Sequence, residues 1–168
     1  RARYYSLFKP PFLSYATLSD AINSSRAVMQ AGANVVKIEG GRELAETVRV
    51  LAQAGVPTWV HLGLTPQLVN VFGGYKVQGK TDEAAAKLLE DVQILVQAGS
   101  AMVLLECVPT TLAKQVTQSV SVPVIGIGAG VDTDGQVLVM HDMLGVYTRK
   151  PAKFIKSFMT DSTNVTGD

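Results

Sequence analysis

The chain has 168 residues, of which 47% are hydrophobic and 17% are charged, and its formal net charge is +1. Because the charged fraction lies below the roughly 25% typical of soluble domains, the composition excludes a disordered chain and predicts one domain, or part of one, with a well-buried core. The near-zero charge predicts no nucleic-acid partner, and no apolar run approaches the ~20 residues of a membrane span.

The first predicted elements follow an atypical N-terminal segment, residues 1–9. This segment does not have the form of a secretory signal, and the single cysteine, Cys107, permits no internal disulfide, so we expect a protein of the reducing cytoplasm. Residues 4–8 form at most an incomplete first strand. Apolar residues at helical spacing then predict a helix over 17–31, with Thr17 as its N-cap.

Short apolar runs alternate with helices through the middle of the chain. They predict strands at 35–39, 57–61, 102–107 and 123–127. The intervening helices are predicted at 42–54, 81–98 and 110–120, and residues 63–80 form a long connection.

The C-terminal part carries weaker signals. We predict one more strand over 137–140, although four apolar residues also permit a short helix. An amphipathic helix is predicted over 151–159, and the polar residues 160–168 are expected to fray.

The strand pattern indicates the fold class. Nearly continuous Val- and Ile-rich strands separated by helices are typical of an α/β protein with a parallel sheet. The joint Gln-Ala-Gly recurs at Gly32, Gly55 and Gly99, which favours a cyclic (β/α) array. A closed (β/α)8 TIM barrel needs eight strands and about 250 residues. The chain is therefore either a single, partial barrel domain over 1–168, about two units short at its N-terminus and carrying about the C-terminal six β/α units, or an open sheet.

Ionisable side chains lie at the ends of three predicted strands. Lys37 and Glu39 share one strand face, and His61 and Glu106 end two other strands. A charge in a sheet covered on both faces must be paired or bound to metal, and active sites lie at the carboxyl ends of such strands. With Glu106 as base, Lys37 as cation and a metal held partly by Glu39, the set predicts proton abstraction next to a carbonyl.

Each feature also has a structural reading. A single Glu at a strand end is more often a helix cap or a surface group. We expect Cys107 to be a buried small hydrophobe and His141-Asp142 to be a hydrogen-bonded structural pair. The glycines of 126–130 fit a phosphate cradle only weakly, because close approach of the backbone explains them equally well, and 63–80 is either a lid or a mobile connection.

Six runs of the sequence, taken in order, resemble the ketopantoate hydroxymethyltransferase family. They are GANVVKIEGG (32–41), HLGLTPQ (61–67), FGGYKVQG (72–79), LLECVP (104–109), PVIGIGAG (123–130) and DGQVLVMHDMLG (134–145).

The resemblance implies a (β/α)8 barrel, a homodecamer, and transfer of a hydroxymethyl group from 5,10-methylenetetrahydrofolate to 3-methyl-2-oxobutanoate in pantothenate synthesis. It implies that Glu106 is the proton acceptor, that Lys37 and His61 contact the keto acid, and that Glu39 binds Mg²⁺. In that reaction the metal stabilises an enolate without donating a proton.

Two departures from the family pattern concern the metal. Lys9 stands where the family has an acidic metal ligand, and a second metal-binding Asp, with a neighbouring Ser, belongs to an earlier strand that the 168 residues do not contain. We therefore expect a piece of a longer enzyme that does not carry out the complete transfer by itself.

Two other functions remain open. One is a Mg²⁺-dependent carbon–carbon lyase or a phosphoenolpyruvate-mutase-like barrel, whose enolate chemistry needs similar carboxylates. The other is a non-catalytic assembly remnant that keeps its oligomer surfaces.

Overall fold

Six parallel strands form one sheet, in which the spatial order of the strands is their order in the chain. The computed structural model describes residues 7–71, 73–146, 152 and 154–159. The strands are β1 (Leu7–Phe8), β2 (Val35–Glu39), β3 (Thr58–Gly63), β4 (Met102–Glu106), β5 (Val124–Ile127) and β6 (Gly135–Gln136). This arrangement confirms the predicted α/β class and the partial (β/α) barrel.

Helices follow the strands at the predicted places. They are α1 (Leu18–Gln30), α2 (Ala45–Gln53), α3 (Asp82–Gln97), α4 (Thr110–Ser119) and the short α5 (Met140–Met143). A 3₁₀ turn over Arg42–Leu44 leads into α2. Thr17 and Asp20 form a reciprocal capping box at the start of α1, and the Thr81 hydroxyl accepts the first free amide of α3 from Ala84. The predicted N-cap Thr17 is therefore confirmed.

The two faces of the sheet have different compositions. The face under the helices is apolar and nearly inaccessible, and its strand residues are Val36, Ile38, Val60, Leu62, Val103, Leu105 and Val124. Each such burial stabilises the fold by about 1.5–3 kcal/mol. Because side chains alternate along a strand, the opposite face presents Lys37 and Glu39, Trp59 and His61, and Leu104 and Glu106.

The prediction of a strand over 137–140 is wrong. Strand β6 lies two residues earlier, at Gly135–Gln136, and a helix begins at Met140. The Asp134 carboxylate accepts the Val124 amide at 2.8 Å and so fixes the register at Gly135. Val137 then donates its amide to the Gly126 carbonyl, after which the pairing ends.

The predicted helix over 151–159 is also wrong where the structure describes it. Phe154–Met159 is irregular: the Phe158 amide donates to the Met143 carbonyl at 2.8 Å, and the Phe154 ring covers Gly128. A nine-residue amphipathic segment is too short to be a stable helix without packing, so these tertiary contacts decide its path. Strand β1 (Leu7–Phe8) is the end of the partial strand predicted over 4–8. Residues 1–6 and the tail 160–168, which was predicted to fray, lie outside the described residues.

No helix in the described part of the chain is both long and apolar enough to cross a membrane.

Candidate active site

The carboxyl ends of β2, β3 and β4 bring the four predicted site residues together. Glu39 lies in register with His61, and Glu106 lies in register with Gly63, two residues beyond His61. In-register residues of parallel strands point to the same face of a sheet. All four side chains, with Lys37 two residues before Glu39, therefore lie on the face opposite the helices.

His61 lies between the two carboxylates. Its Nδ1 is 3.6 Å from Glu39 Oε1 and its Nε2 is 3.3 Å from Glu106 Oε2. The His61 and Glu39 side chains are fully buried, whereas 17% of the Glu106 side chain is exposed. Neither ring nitrogen makes a well-formed hydrogen bond to the described residues. The imidazole therefore occupies the space between the two carboxylates, and Glu106 is the carboxylate that a ligand can reach.

Glu39 is surrounded by positive charge and hydrogen-bond donors. The Lys9 ammonium contacts Oε1, and the backbone amide of Gln67 donates to Oε2 at 2.9 Å. Burial by itself would raise the pKa of Glu39, but His61, Lys9 and the Gln67 amide outweigh it and lower the pKa to about 2. The Glu39 carboxylate is therefore ionised at neutral pH.

Lys37 is a partly buried cation of the same face. The pKa of Lys37 is lowered, chiefly by burial and also by the positive charge of Lys9. The negative charges of Glu39 and Glu106 act in the opposite direction. The site therefore combines two ammonium groups with two carboxylates. Such a set can bind an anionic ligand and move a proton.

Tyr15 and Gln67 also belong to this site, although the sequence reading assigned them no role. The Tyr15 hydroxyl accepts the Glu39 amide at 3.2 Å and donates to Gln67 Oε1, and Gln67 Nε2 donates to the Pro10 carbonyl at 3.3 Å. Burial raises the pKa of Tyr15, the bond from the Glu39 amide lowers it, and the charge of Glu39 raises it. Their polar side chains in apolar segments next to the site are the signal that could have revealed them.

Cys107 differs from its prediction as a buried strand residue. Strand β4 ends at Glu106, and Cys107 has a positive φ of 49° and is only half-buried. Burial, reinforced by the charge of Glu106, raises the pKa of the thiol to about 11. Its reactivity is therefore low at neutral pH.

The other motifs of the sequence lie outside this cluster. A Cβ at Gly126 or Gly130 would meet Thr133 or Thr110, so close approach of the chain itself explains the run 126–130 better than a phosphate cradle. The predicted pairing of His141 with Asp142 is not observed, because no side-chain hydrogen bond joins these two described residues. The two described ends of the 63–80 connection lie at the end of β4, where the Leu64 amide donates to the Glu106 carbonyl and the Gln78 amide donates to the Cys107 carbonyl.

A cavity of about 330 Å³ lies beside the site rather than in it. Its lining comes from the residues that follow β2, from the end of β3, from the connection after β3 and from α3, and includes Thr65, Gln78, Leu88 and Asp91. Lys37, His61 and Glu106 do not line it.

The described residues do not fit a Mg²⁺ site. No group of three or more His, Cys, Asp or Glu side chains that could hold a metal occurs among them. The one carboxylate assigned to the metal, Glu39, already contacts the Lys9 ammonium. Magnesium prefers several oxygen ligands in octahedral geometry, which this arrangement does not supply. The expectation of Mg²⁺ thus stays a prediction, and no chemical step is assigned to it.

Comparison with known proteins identifies the family. The family model described as ketopantoate hydroxymethyltransferase matches residues 3–167. The chain belongs to this family. The 3-methyl-2-oxobutanoate hydroxymethyltransferase of Psychrobacter sp. (strain PRwf-1) is 66% identical over 154 residues, which are 92% of this chain and 57% of that protein. The enzyme of the same name from Acinetobacter baylyi is 57% identical over 157 residues, 93% of this chain and 58% of that protein.

The chain therefore spans little more than half the length of these relatives of the ketopantoate hydroxymethyltransferase family. Among solved structures, dihydrodipicolinate synthase from Oceanobacillus iheyensis matches with a TM-score of 0.46 and 13% identity, over 73% of this chain and 42% of that one. This TM-score is too low for the structural similarity to support an inference.

Proposed function

We propose that this chain is part of an enzyme that transfers a hydroxymethyl group from 5,10-methylenetetrahydrofolate to 3-methyl-2-oxobutanoate, giving 2-dehydropantoate in pantothenate biosynthesis. Family membership supports the reaction type, since the matched relatives are named for it. The observation that carries the proposal for this chain is the cluster of Lys37, Glu39, His61 and Glu106 on one face of the sheet.

Glu106 is the base in this proposal. Its carboxylate is the more accessible of the two, and His61 lies 3.3 Å from it and orients it. Glu106 takes the proton from C3 of the keto acid, and the electrons of the broken C–H bond form an enolate. Water releases the methylene carbon of the folate donor as formaldehyde by breaking both of its C–N bonds, which leaves tetrahydrofolate. The enolate carbon then bonds to this carbon as the C=O π bond breaks, and the new alkoxide takes the proton back from Glu106 to give the hydroxymethyl group. Proton transfer by a positioned carboxylate typically contributes 10²–10⁴-fold to the rate.

Lys37 supplies positive charge for the substrate. A 2-oxo acid carries a carboxylate, and its enolate gains a second negative oxygen, so an ammonium group nearby stabilises both. Because Lys37 is partly buried, its charge acts in a medium of lower dielectric than water and its attraction is stronger there. His61 lines the same face and completes the proposed keto-acid contacts.

The oligomeric state and the cellular compartment of the enzyme are also part of the proposal. We propose that identical subunits assemble, as a decamer, and that the enzyme acts in the cytoplasm. The support for both is membership of the family. Sedimentation of the purified protein tests the assembly, and a monomer at micromolar concentration would contradict it.

The proton-transfer step can be tested without the folate donor. Deuterium exchange at C3 of 3-methyl-2-oxobutanoate in D₂O, followed by NMR, reports Glu106 directly. We expect Glu106→Gln to slow exchange by about 10²–10⁴-fold. Glu46→Gln, an exposed carboxylate paired with Arg49 on α2, is the matched control and should exchange like the wild type.

Two results would overturn this proposal. Wild-type exchange by Glu106→Gln would show that another group is the base. Absence of exchange in the folded wild-type chain would favour the non-catalytic assembly remnant, and exchange-free cleavage of a carbon–carbon bond would favour the lyase.

A further inference from the structure

The contact between Lys9 and Glu39 has the geometry of a cation bound inside the site. The Glu39 side chain is fully buried, while 37% of the Lys9 side chain is exposed. Lys9 follows β1 directly, so its ammonium approaches Glu39 from the strand that neighbours β2. A buried carboxylate requires a compensating charge, and Lys9 provides it.

Each oxygen of the Glu39 carboxylate contacts a neighbouring group. The Lys9 ammonium contacts Oε1, and the Gln67 amide donates to Oε2 at 2.9 Å. His61 Nδ1, at 3.6 Å, also faces Oε1. A divalent cation would have to displace the ammonium, because two positive charges at one carboxylate oxygen repel each other.

We propose that the Lys9 ammonium is the resident cation of this site and takes the place that a divalent metal ion would need beside Glu39. In this chain, Glu39 therefore does not bind Mg²⁺ while Lys9 is present. The assignment of Glu39 to the active site rests on the proposed function. The inference itself concerns metal binding, which can be measured separately from turnover.

This arrangement has a consequence for the ligand. Lys9 and Lys37 lie close enough for the charge of Lys9 to act on Lys37, which burial already makes less basic. An anionic 2-oxo acid would then meet N–H donors from two ammonium groups, whose hydrogen bonds to a carboxylate are charge-assisted. Binding of 3-methyl-2-oxobutanoate should therefore not change when EDTA is added.

Metal binding tests the inference directly. Free Mn²⁺, a surrogate for Mg²⁺, is measured by electron paramagnetic resonance while protein is added. We expect no binding to the wild type below millimolar Mn²⁺. Lys9→Glu places a second carboxylate beside Glu39, and we expect it to bind Mn²⁺ at least tenfold more tightly, with Mg²⁺ as a competitor.

The control makes the same charge change elsewhere. Lys114 lies on α4, is 54% exposed and lies 3.6 Å from Asp132, so its ion pair involves no residue of the site. Lys114→Glu should therefore bind Mn²⁺ as weakly as the wild type. Circular dichroism and the melting temperature confirm folding. If Lys9→Glu does not fold, Lys9→Asp, with a shorter carboxylate, serves for the same comparison.

Two outcomes would overturn the inference. One is submillimolar Mn²⁺ binding by the wild type that Glu39→Gln abolishes, since Lys9 would then fail to exclude the metal. The other is a folded Lys9→Glu or Lys9→Asp variant with no gain in affinity. Neither outcome bears on Glu106 as the base, and loss of deuterium exchange would not bear on Lys9.

Discussion

Replacing Glu39 by Gln should remove a contribution to stability that depends on pH. In the folded chain, His61, Lys9 and the Gln67 amide overcome the effect of burial and lower the pKa of Glu39 from 4.5 to about 2. Because the folded-state pKa lies below the unfolded-state value, the ionised carboxylate stabilises the fold. That contribution is complete above the ordinary pKa and is lost as the pH falls toward 2.

The size of the effect follows from the lowered pKa. The difference between the two states corresponds to about 3 kcal/mol in the free energy of unfolding. Solvent screens the partly exposed Lys9, so we expect about 2–3 kcal/mol. Roughly 60% of this contribution should be lost between pH 7 and pH 3.

Urea unfolding at pH 7 and pH 3, followed by circular dichroism, measures this contribution. The free energy of unfolding of the wild type should fall about 1.2–1.8 kcal/mol more than that of Glu39→Gln over this interval. Glu46→Gln removes an exposed carboxylate and should follow the wild type. Parallel losses in wild type and Glu39→Gln would refute the reasoning, because the charge of Glu39 would then have no stabilising partner.

Two further predictions concern the strand ends next to the site. Gly63 and Gly55 both have a positive φ, but a Cβ at Gly63 would lie 2.3 Å from the Glu106 carbonyl oxygen, whereas a Cβ at Gly55 would meet nothing within 4 Å. In urea unfolding we expect Gly55→Ala to lower the free energy of unfolding by about 1–2 kcal/mol and Gly63→Ala to lower it by about 1–3 kcal/mol more. Gly63→Ala should also slow deuterium exchange, because Glu106 shifts. Equal losses of stability in the two variants would contradict the close approach at Gly63. The pKa of Cys107, raised to about 11, predicts alkylation by iodoacetamide about 100-fold slower at pH 8 than in the urea-unfolded chain. The alkylation rate of Cys107 in the folded chain should still rise tenfold per pH unit between pH 9 and pH 10. A plateau of that rate in this interval would show that the pKa of the thiol is not raised.

The sequence was sufficient to predict the sheet and the placement of Lys37, Glu39, His61 and Glu106 on one face of it. Alternation along β2 placed Lys37 and Glu39 on one face, and equivalent strand ends placed His61 and Glu106 beside them. These predictions succeeded because side-chain direction in a strand depends on a local rule with a period of two residues. Strand ends in a parallel sheet meet at one edge, so no long-range information was needed.

The missed features depend on contacts between distant segments. Tyr15 and Gln67 are 52 positions apart, and only the folded chain shows that they hydrogen-bond to each other. Lys9 stood out in the sequence as a residue that would repel a metal, but its contact with Glu39 requires the approach of β1 to β2. The errors over 137–140 and 151–159 have the same origin, since tertiary hydrogen bonds decided both segments.

The division of the sheet into an apolar face and a charged face makes the strands intolerant of length changes. Inserting one residue early in β3 would rotate the following side chains to the other face, exchanging Val60 and Leu62 with His61. Such an insertion would place an imidazole in the core and a leucine among the carboxylates. An insertion in the exposed residues 75–77 would leave both faces in register. In this chain, insertions and deletions can therefore accumulate in the connections. In the strands they would destabilise the core and displace the site residues at the same time.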